Sequence, residues 1–290
     1  MLEKWIEEAT GHRVRRSATL KGGVSSEMTK HELLTGHSVV SRLITNREWL
    51  SDEPDLIEHE KQSLLLMESM SVPTPHFISE ATPRFEALLM TEIPGKVRLD
   101  ICNLPTSLNQ LAGTLHAIHQ TTIPDTFKWT YSSYVDITNV SIPTWTAQQQ
   151  AWLFAIEFVS SNSPEFQPVL IHRDYHPTNI LWEGNELNGV VDWINACKGP
   201  SLVDVAHCRI NLVMLYGIKI ADYFLEAYMQ LSNENYTPYW DILAFLDFVD
   251  EHLDVYEGWT DSGINDLNQK VLKHRSDEYI QNLIAKLDAF

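Results

Sequence analysis

Apolar positions along this chain change period four times on the way into its long helical part. At the start, Leu2, Trp5, Ile6 and Ala9 in LEKWIEEA fall on one face of a short helix that Gly11 would end. The pattern then becomes strand-like over Arg13–Leu20, Glu27–Leu34 and the β-branched, apolar Ser38–Thr45, with the turn-forming Lys21-Gly22-Gly23-Val24-Ser25-Ser26 between the first two. Helical period returns in Asp55–Met70, where Leu56, Ile57, Leu64 and Met67 lie on or near one face and Pro73 and Pro75 stop the helix. Phe85–Ile93 reads as one more strand, and Pro94-Gly95 is a turn signal and the best candidate for a boundary between lobes. Beyond it the spacing predicts helices over Leu108–His119, Trp145–Ser160, Ile218–Leu231, Tyr239–Tyr256 and Lys270–Leu287. Within Pro168–Asp192, two short apolar runs, VLI and GVV, flank a polar loop.

Bulk properties narrow the classes. At 290 residues and 44% hydrophobic content, the chain can bury a core as one large domain or two unequal lobes. Its first fourteen residues mix charges into what could have been an apolar run, so they fit neither a secretory signal nor a membrane span. Cys102, Cys197 and Cys208 are scattered and in no metal-ligand spacing, which suits reduced thiols in a cytoplasmic protein. The formal charge of −18 argues against a nucleic-acid surface, which needs a concentrated basic patch. That charge is uneven: residues 1–100 hold 12 Lys+Arg against 16 Asp+Glu, and residues 101–290 hold 9 against 23. Solvation of a helical surface explains such acidity, and so does an acidic cleft that attracts a cationic substrate; both readings stay open.

The polar loop carries the chemistry. His172-Arg173-Asp174-Tyr175-His176-Pro177-Thr178-Asn179 matches H-R-D-x-x-x-x-N, and Asp192 follows thirteen residues after Asn179, at the end of Gly189-Val190-Val191. An Asp, an Asn five residues on and a second Asp after a short strand reproduce the spacing that phosphoryl transfer needs. The transferring group carries charge on its equatorial oxygens, so catalysis is mainly positioning and electrostatic stabilisation. Asn179 and Asp192 offer the hard oxygen ligands that Mg2+ prefers, and Asp174 would orient a substrate hydroxyl and take its proton.

Together, IHRDYHPTNILW, GVVDW and GPSLVDVA resemble the aminoglycoside phosphotransferase and choline kinase-like family. Asp192-Trp193 and Asp204-Val205-Ala206 match its Asp-Trp and downstream Asp features, while Arg173 stands where the family more often has Gly. The resemblance implies an α+β, protein-kinase-like fold of two lobes: a nucleotide-binding lobe over residues 1–93 with a small antiparallel sheet, and a larger, mostly helical lobe over residues 94–290 for catalysis and substrate. It also implies transfer of the γ-phosphoryl group of ATP or GTP to a hydroxyl of a small polar acceptor. On the nucleotide side, Gly23, Ser25 and Ser26 resemble the family's glycine-containing loop, though such a stretch is also an ordinary hairpin turn. Arg42 and Glu60 stand where the family pairs a phosphate-contacting base with a helical Glu, with Lys30 as the alternative base. Met90, Glu92 and Ile93 resemble the hinge that meets the adenine. His172 and Asp204 are read as structural; for Asp204 the alternative is a helix N-cap. His116 and His119, at i, i+3, lack a third ligand and read as satisfied histidines.

For the acceptor, Asp247, Asp250, Glu251 and Asp254 recur at helical spacing, and in the family's aminoglycoside enzymes C-terminal acidic residues hold cationic amines. Trp240, Phe245, Phe248, Tyr256 and Trp259 supply rings in the same region, as for a quaternary amine. A solvated face and a packed aromatic core account for the same residues. An aminoglycoside-like acceptor comes first; choline, ethanolamine, macrolide, homoserine and sugar kinases are the alternatives, and a catalytically inactive nucleotide-binding module is the non-enzyme alternative. The expected partners are nucleotide and a small-molecule acceptor, with no nucleic acid and no membrane.

Overall fold

The computed structural model describes residues 2–20, 26–81 and 85–287. It opens with helix α1 (Leu2–Thr10), whose Trp5 and Ile6 are buried against the back of a five-stranded antiparallel sheet. The strands are β1 (Val14–Thr19), β2 (Ser26–Leu33), β3 (Ser38–Ile44), β4 (Phe77–Glu80) and β5 (Ala87–Thr91), in the order β1-β2-β3-β5-β4. Between β3 and β4 lie α2 (Arg47–Asp52), capped by the Asn46 side chain accepting from Trp49 N at 3.0 Å, and α3 (Leu56–Met67). The buried face of α3, with Leu56, Ile57, Leu64 and Met67, packs under the sheet, so β3 and β5 are covered on both sides. That double cover explains why β5 reads as a continuous apolar run and why β3 buries even Ser41 and Arg42 in its middle. Register sets Arg42 in mid-strand, opposite Met28 of β2 and Leu88 of β5.

After β5 the chain turns at Pro94-Gly95. Gly95 has φ +123°, and a Cβ there would sit 3.0 Å from the Trp182 carbonyl oxygen, so only glycine fits without strain. The larger lobe then runs α4 (Pro105–His119), α5 (Gln149–Ser161), β6 (Val169–Ile171), β7 (Ile180–Glu183), β8 (Glu186–Val190), β9 (Cys197–Gly199), α6 (Ser201–Tyr216), α7 (Ile218–Met229), α8 (Pro238–Phe248), α9 (Glu257–Asp261) and α10 (Gln269–Leu287). β6 pairs with β9 and β7 with β8, and the two ribbons hold the 172–179 loop between them. Among the described residues, no helix is long and apolar enough to cross a membrane.

One sequence expectation changes here, and two groups of elements carried no periodic signal. α6 gave no amphipathic signal because nearly every one of its side chains is buried, which leaves no polar face to set a period. The helix expected over Tyr239–Tyr256 ends at Phe248: Val249 turns extended, and the Asp250 carboxylate accepts from the backbone N–H groups of His252 and Leu253, so the chain reverses before α9. The short strands β4, β7 and β9 were too brief for an alternating pattern to stand out.

Candidate active site

The loop after β6 is pinned from below. Asp204, in the first turn of α6, accepts from the backbone N–H of His172 at 2.7 Å and of Arg173 at 2.6 Å. Pro200 occupies the N-cap of α6, so Asp204 braces a neighbouring loop and does not cap its own helix. His119 of α4 lies 3.2 Å from the same carboxylate and 2.6 Å from the Tyr228 hydroxyl, which accounts for its burial without a metal. His172 is fully buried: its Nδ1 accepts from Asp174 N at 3.3 Å and its Nε2 donates to the Val191 carbonyl at 2.9 Å, tying the loop to the segment before Asp192. Burial holds its pKa below that of a free imidazole, in keeping with this neutral tautomer.

Two non-glycine residues here lie in the left-handed region, Arg173 at φ +68° and Asp192 at φ +70°. Such backbone costs about 1–3 kcal/mol per residue and persists only where the surroundings over-determine it. For Arg173 the surroundings are Asp204 below and, above, the rings of Tyr131 and Tyr134, whose centroids lie 4.7 and 3.8 Å from the guanidinium carbon. For Asp192 they are Val191 N donating to Asn179 O at 3.0 Å and the Arg42 guanidinium 2.8 Å from Oδ1.

Asp174, Asn179 and Asp192 come together at the mouth of one cleft. Asn179 turns its Nδ2 to Asp174, donating to the backbone oxygen at 2.8 Å and to Oδ2 at 2.9 Å, so its amide oxygen is the end left for other contacts. The other carboxylate oxygen of Asp174 faces two histidines, His207 Nε2 at 3.1 Å and His176 Nε2 at 3.4 Å. Burial works to raise the Asp174 pKa, but these two imidazoles overcome it and hold the carboxyl well below the usual range. The sequence reading did not single out either histidine. His176 sits inside the motif, and His207 lies one helical turn past Asp204, a signal that required α6 to be recognised first.

Arg42 is buried, with its Nε 2.8 Å from Glu60 Oε2 and its other nitrogens donating to Asp192 at 2.8 Å and to Ser26 Oγ at 3.0 Å. Burial pushes the Glu60 carboxyl up to about 7, against the pull of Arg42 and with added repulsion from Asp192. Lys30 is engaged elsewhere, paired with Glu92 at the end of β5, so the structure sets Arg42 and not Lys30 beside Asp192. Gly23 and Ser25 lie outside the described residues; Ser26 is described and lines the cleft.

The cleft has a volume of about 530 Å³ and is walled by Val40, Arg42, Met90, Glu92, Ile93, Asn179 and Asp192, together with Asp174 and Tyr256. A second pocket of about 130 Å³ opens on the other side of Asp174, between Tyr131, Tyr134, Arg173, His207, Trp240 and Asp247. Of the four acidic residues expected at an acceptor site, only Asp247 lines this pocket, and burial raises its pKa. Asp250 holds the turn after α8, Glu251 accepts from Thr144 N and Oγ1 at 2.7 Å, and Asp254 accepts from Gln269 at 2.7 Å. Those three lie away from this pocket because their helix does not continue, and Asp250 and Glu251 line a separate pocket with residues 139–143. Of the aromatic residues, Trp240 lines this pocket and Tyr256 the larger cleft, whereas Phe245 and Trp259 are buried core.

Comparison with known proteins agrees with this geometry. The family model described as phosphotransferase enzyme family matches residues 32–246. No curated protein sequence matches the chain. In fold it is similar to a thermostable mutant of aminoglycoside phosphotransferase APH(4)-Ia solved with ADP and hygromycin B (18% identity, TM-score 0.64, 97% of this chain and 98% of that one). It is also similar to spectinomycin phosphotransferase APH(9)-Ia solved with ADP and spectinomycin (15%, TM-score 0.61, 97% and 93%). A third similar structure is macrolide 2'-phosphotransferase MphH from Brachybacterium faecium (15%, TM-score 0.58, 85% and 90%).

Proposed function

The chain belongs to the phosphotransferase enzyme family, and from that premise we propose that it transfers the γ-phosphoryl group of ATP or GTP to a hydroxyl of a small polar acceptor, an aminoglycoside-like compound first. One observation carries this reading: the Asp174 carboxylate is shared between two cavities of different character. The larger is walled by a buried arginine, two oxygen donors and the end of β5, which suits a nucleotide. The smaller, lined by Tyr131, Trp240 and Asp247, suits a polar group with an amine. At about 130 Å³ it is below the usual 300–1,000 Å³ of a drug-sized ligand pocket, so it would hold the reacting part of the acceptor while the rest lies outside.

In this reading an acceptor hydroxyl donates to the Asp174 carboxylate and is aimed through the gap between the cavities at the γ-phosphorus. The hydroxyl oxygen bonds to phosphorus as the bond to the bridging oxygen breaks, the nucleoside diphosphate leaves, and the proton passes to Asp174. Asn179 and Asp192 would hold Mg2+, which supplies charge neutralisation for the phosphate oxygens. The fit is chemical: the amide oxygen of Asn179 is turned away from Asp174, and Asp192 is a carboxylate with a third of its side chain exposed to the cleft. Arg42 binds phosphate with its fork and keeps Asp192 aligned, and Glu60 sets the angle of that fork. Met90, Glu92 and Ile93 meet the base. The division into residues 1–93 and 94–290 belongs to the same reading, with Gly95 and the pairing of Lys96 with Trp182 joining the two parts. Two similar structures hold ADP with hygromycin B or spectinomycin, which supports a nucleotide in the larger cavity and an antibiotic-like acceptor beside it.

The test is nucleoside diphosphate release from ATP and from GTP, with Mg2+, against aminoglycosides, macrolides, choline, ethanolamine, homoserine and simple sugars. Acceptor-stimulated release from at least one class is expected. Silence across the panel with nucleotide binding intact would favour an inactive nucleotide-binding module.

A further inference from the structure

We propose that Asp174, His176 and His207 form a binding site for a borderline-soft divalent cation, with Zn2+ as the reference ion, and that an ion held there silences phosphotransfer. The binding half stands on geometry alone; the silencing half rests on the role assigned above to Asp174.

Both imidazole Nε2 atoms face the same oxygen, Asp174 Oδ1, at 3.4 Å for His176 and 3.1 Å for His207, and the three ligand atoms all lie within 4.8 Å of one another. A tetrahedral zinc ion with bonds of about 2.0–2.1 Å separates its ligands by roughly 3.3–3.4 Å, the tetrahedral edge for that radius. The two histidine-to-carboxylate edges therefore match a zinc ion with shifts of a few tenths of an ångström, and the His176–His207 edge, which lies within 4.8 Å, closes toward the same length on binding. The imidazole rings are tilted by 73° with centroids 5.6 Å apart, so they meet at the carboxylate and do not stack.

The groups behind these ligands are also those a metal needs. His176 Nδ1 lies 2.9 Å from Thr178 Oγ1, which can accept its N–H and leave the Nε2 lone pair for an ion. Asn179 Nδ2 holds Asp174 Oδ2 at 2.9 Å, which fixes Oδ1 as the free ligand atom. Asp204 anchors the loop that carries Asp174 and His176 to α6, the helix that carries His207, so all three ligands rest on one braced unit. Asp174 and His207 both line the smaller pocket, which gives an ion a way in and leaves the fourth position to water.

The chemistry separates this site from its neighbour. Asn179 and Asp192 offer oxygen alone and suit Mg2+, whereas two imidazoles and one carboxylate favour zinc and similar ions. Mg2+ in excess would not displace such an ion. With Oδ1 coordinated, Asp174 can no longer accept the acceptor's proton.

The experiment uses the full chain freed of metal by a chelator. Zn2+ is titrated by calorimetry and Co2+ by visible absorption, in wild type, His176→Asn, His207→Asn, Thr178→Val and the exposed control His274→Ala, with circular dichroism to confirm folding. One ion per chain is expected, with affinity lowered at least about tenfold in the two histidine variants, by a comparable or smaller factor in Thr178→Val, and unchanged in the control. Asparagine is a poor zinc ligand and circular dichroism shows that the fold is kept, so a change in binding there reports ligation and not folding. No binding, or binding unchanged in both histidine variants, overturns the site. In the activity arm, Zn2+ is expected to suppress diphosphate release at saturating Mg2+, reversibly by chelator and much less in His207→Asn. Site-specific binding without suppression would keep the site and overturn the silencing, and with it the role of Asp174.

Discussion

Arg42 and Arg209 are both buried and both carry two acidic partners, but what surrounds those partners differs. Arg209 of α6 meets Asp222 of α7 at 2.6 Å and pairs closely with Asp241 of α8. Asp241 also accepts from the hydroxyls of Tyr236 at 2.5 Å and Tyr279 at 3.2 Å, and Lys286 reaches Asp222 at 2.8 Å. Every charge in that cluster is matched, and its members tie α6, α7, α8 and α10 together. Around Arg42 no hydroxyl among the described residues supports Glu60, whose carboxyl is pushed up to about 7, and the other partner, Asp192, has strained backbone and opens on the cleft. A saturated ionic cluster in a dry interior holds helices in place. One short of donors and open at one end can exchange partners, which the metal and phosphate site proposed here requires.

The contrast breaks or sharpens at four points. Arg209→Met leaves Asp241 buried without its cation and should cost about 3–5 kcal/mol of stability, read from guanidinium unfolding; a loss under about 1 kcal/mol would show that the cluster is not what holds the helices. Arg42→Met should lower kcat by about 10²–10³-fold, the scale of removing one electrostatic donor, while destabilising the fold less than Arg209→Met, because Glu60 can take up a proton near neutral pH. Equal stability losses in the two variants would erase the distinction.

Third is the pH dependence of Glu60. Its folded pKa lies above the unfolded value of about 4.5, so between about 4.5 and 7 the native state holds more protons than the unfolded chain. Its contribution is therefore present below about 4.5 and lost as pH rises through 7, a change of roughly 3 kcal/mol. Glu60→Gln should lack that decline when unfolding is compared at pH 5 and pH 8; parallel behaviour would mean that Glu60 is ionised throughout. The smallest effect is Tyr279→Phe, which removes one hydrogen bond to a carboxylate and should cost about 1.5 kcal/mol in the same unfolding assay.

How much of this was legible in the sequence follows from how far each feature reaches along the chain. Asp174, Asn179 and Asp192 lie within one short stretch, so their spacing alone brought them together. Four of the five sheet strands, β1, β2, β3 and β5, and α3 were readable because each has a regular period or a largely apolar run. Arg42 and Glu60, far from the loop in sequence, entered only through a family resemblance, and His207 not at all, because α6 is buried on all sides and left no period. The opposite error came from Asp250, Glu251 and Asp254: their helical spacing was real as a pattern, but Asp250 caps a turn instead of continuing the helix, and the other two bond to Thr144 and Gln269. The smaller pocket, proposed here for the acceptor, is assembled from residues 131–135, 173–174, 195–207 and 240–247, a combination that no local pattern announces.

The central claim is that Asp174, shared by two cavities, carries the phosphotransfer. Its most direct test is acceptor-stimulated nucleoside diphosphate release by Asp174→Ala beside wild type, with nucleotide binding measured on the same preparations. The account predicts a turnover about 10²–10⁴-fold lower with nucleotide affinity retained; wild-type turnover in the variant would contradict it.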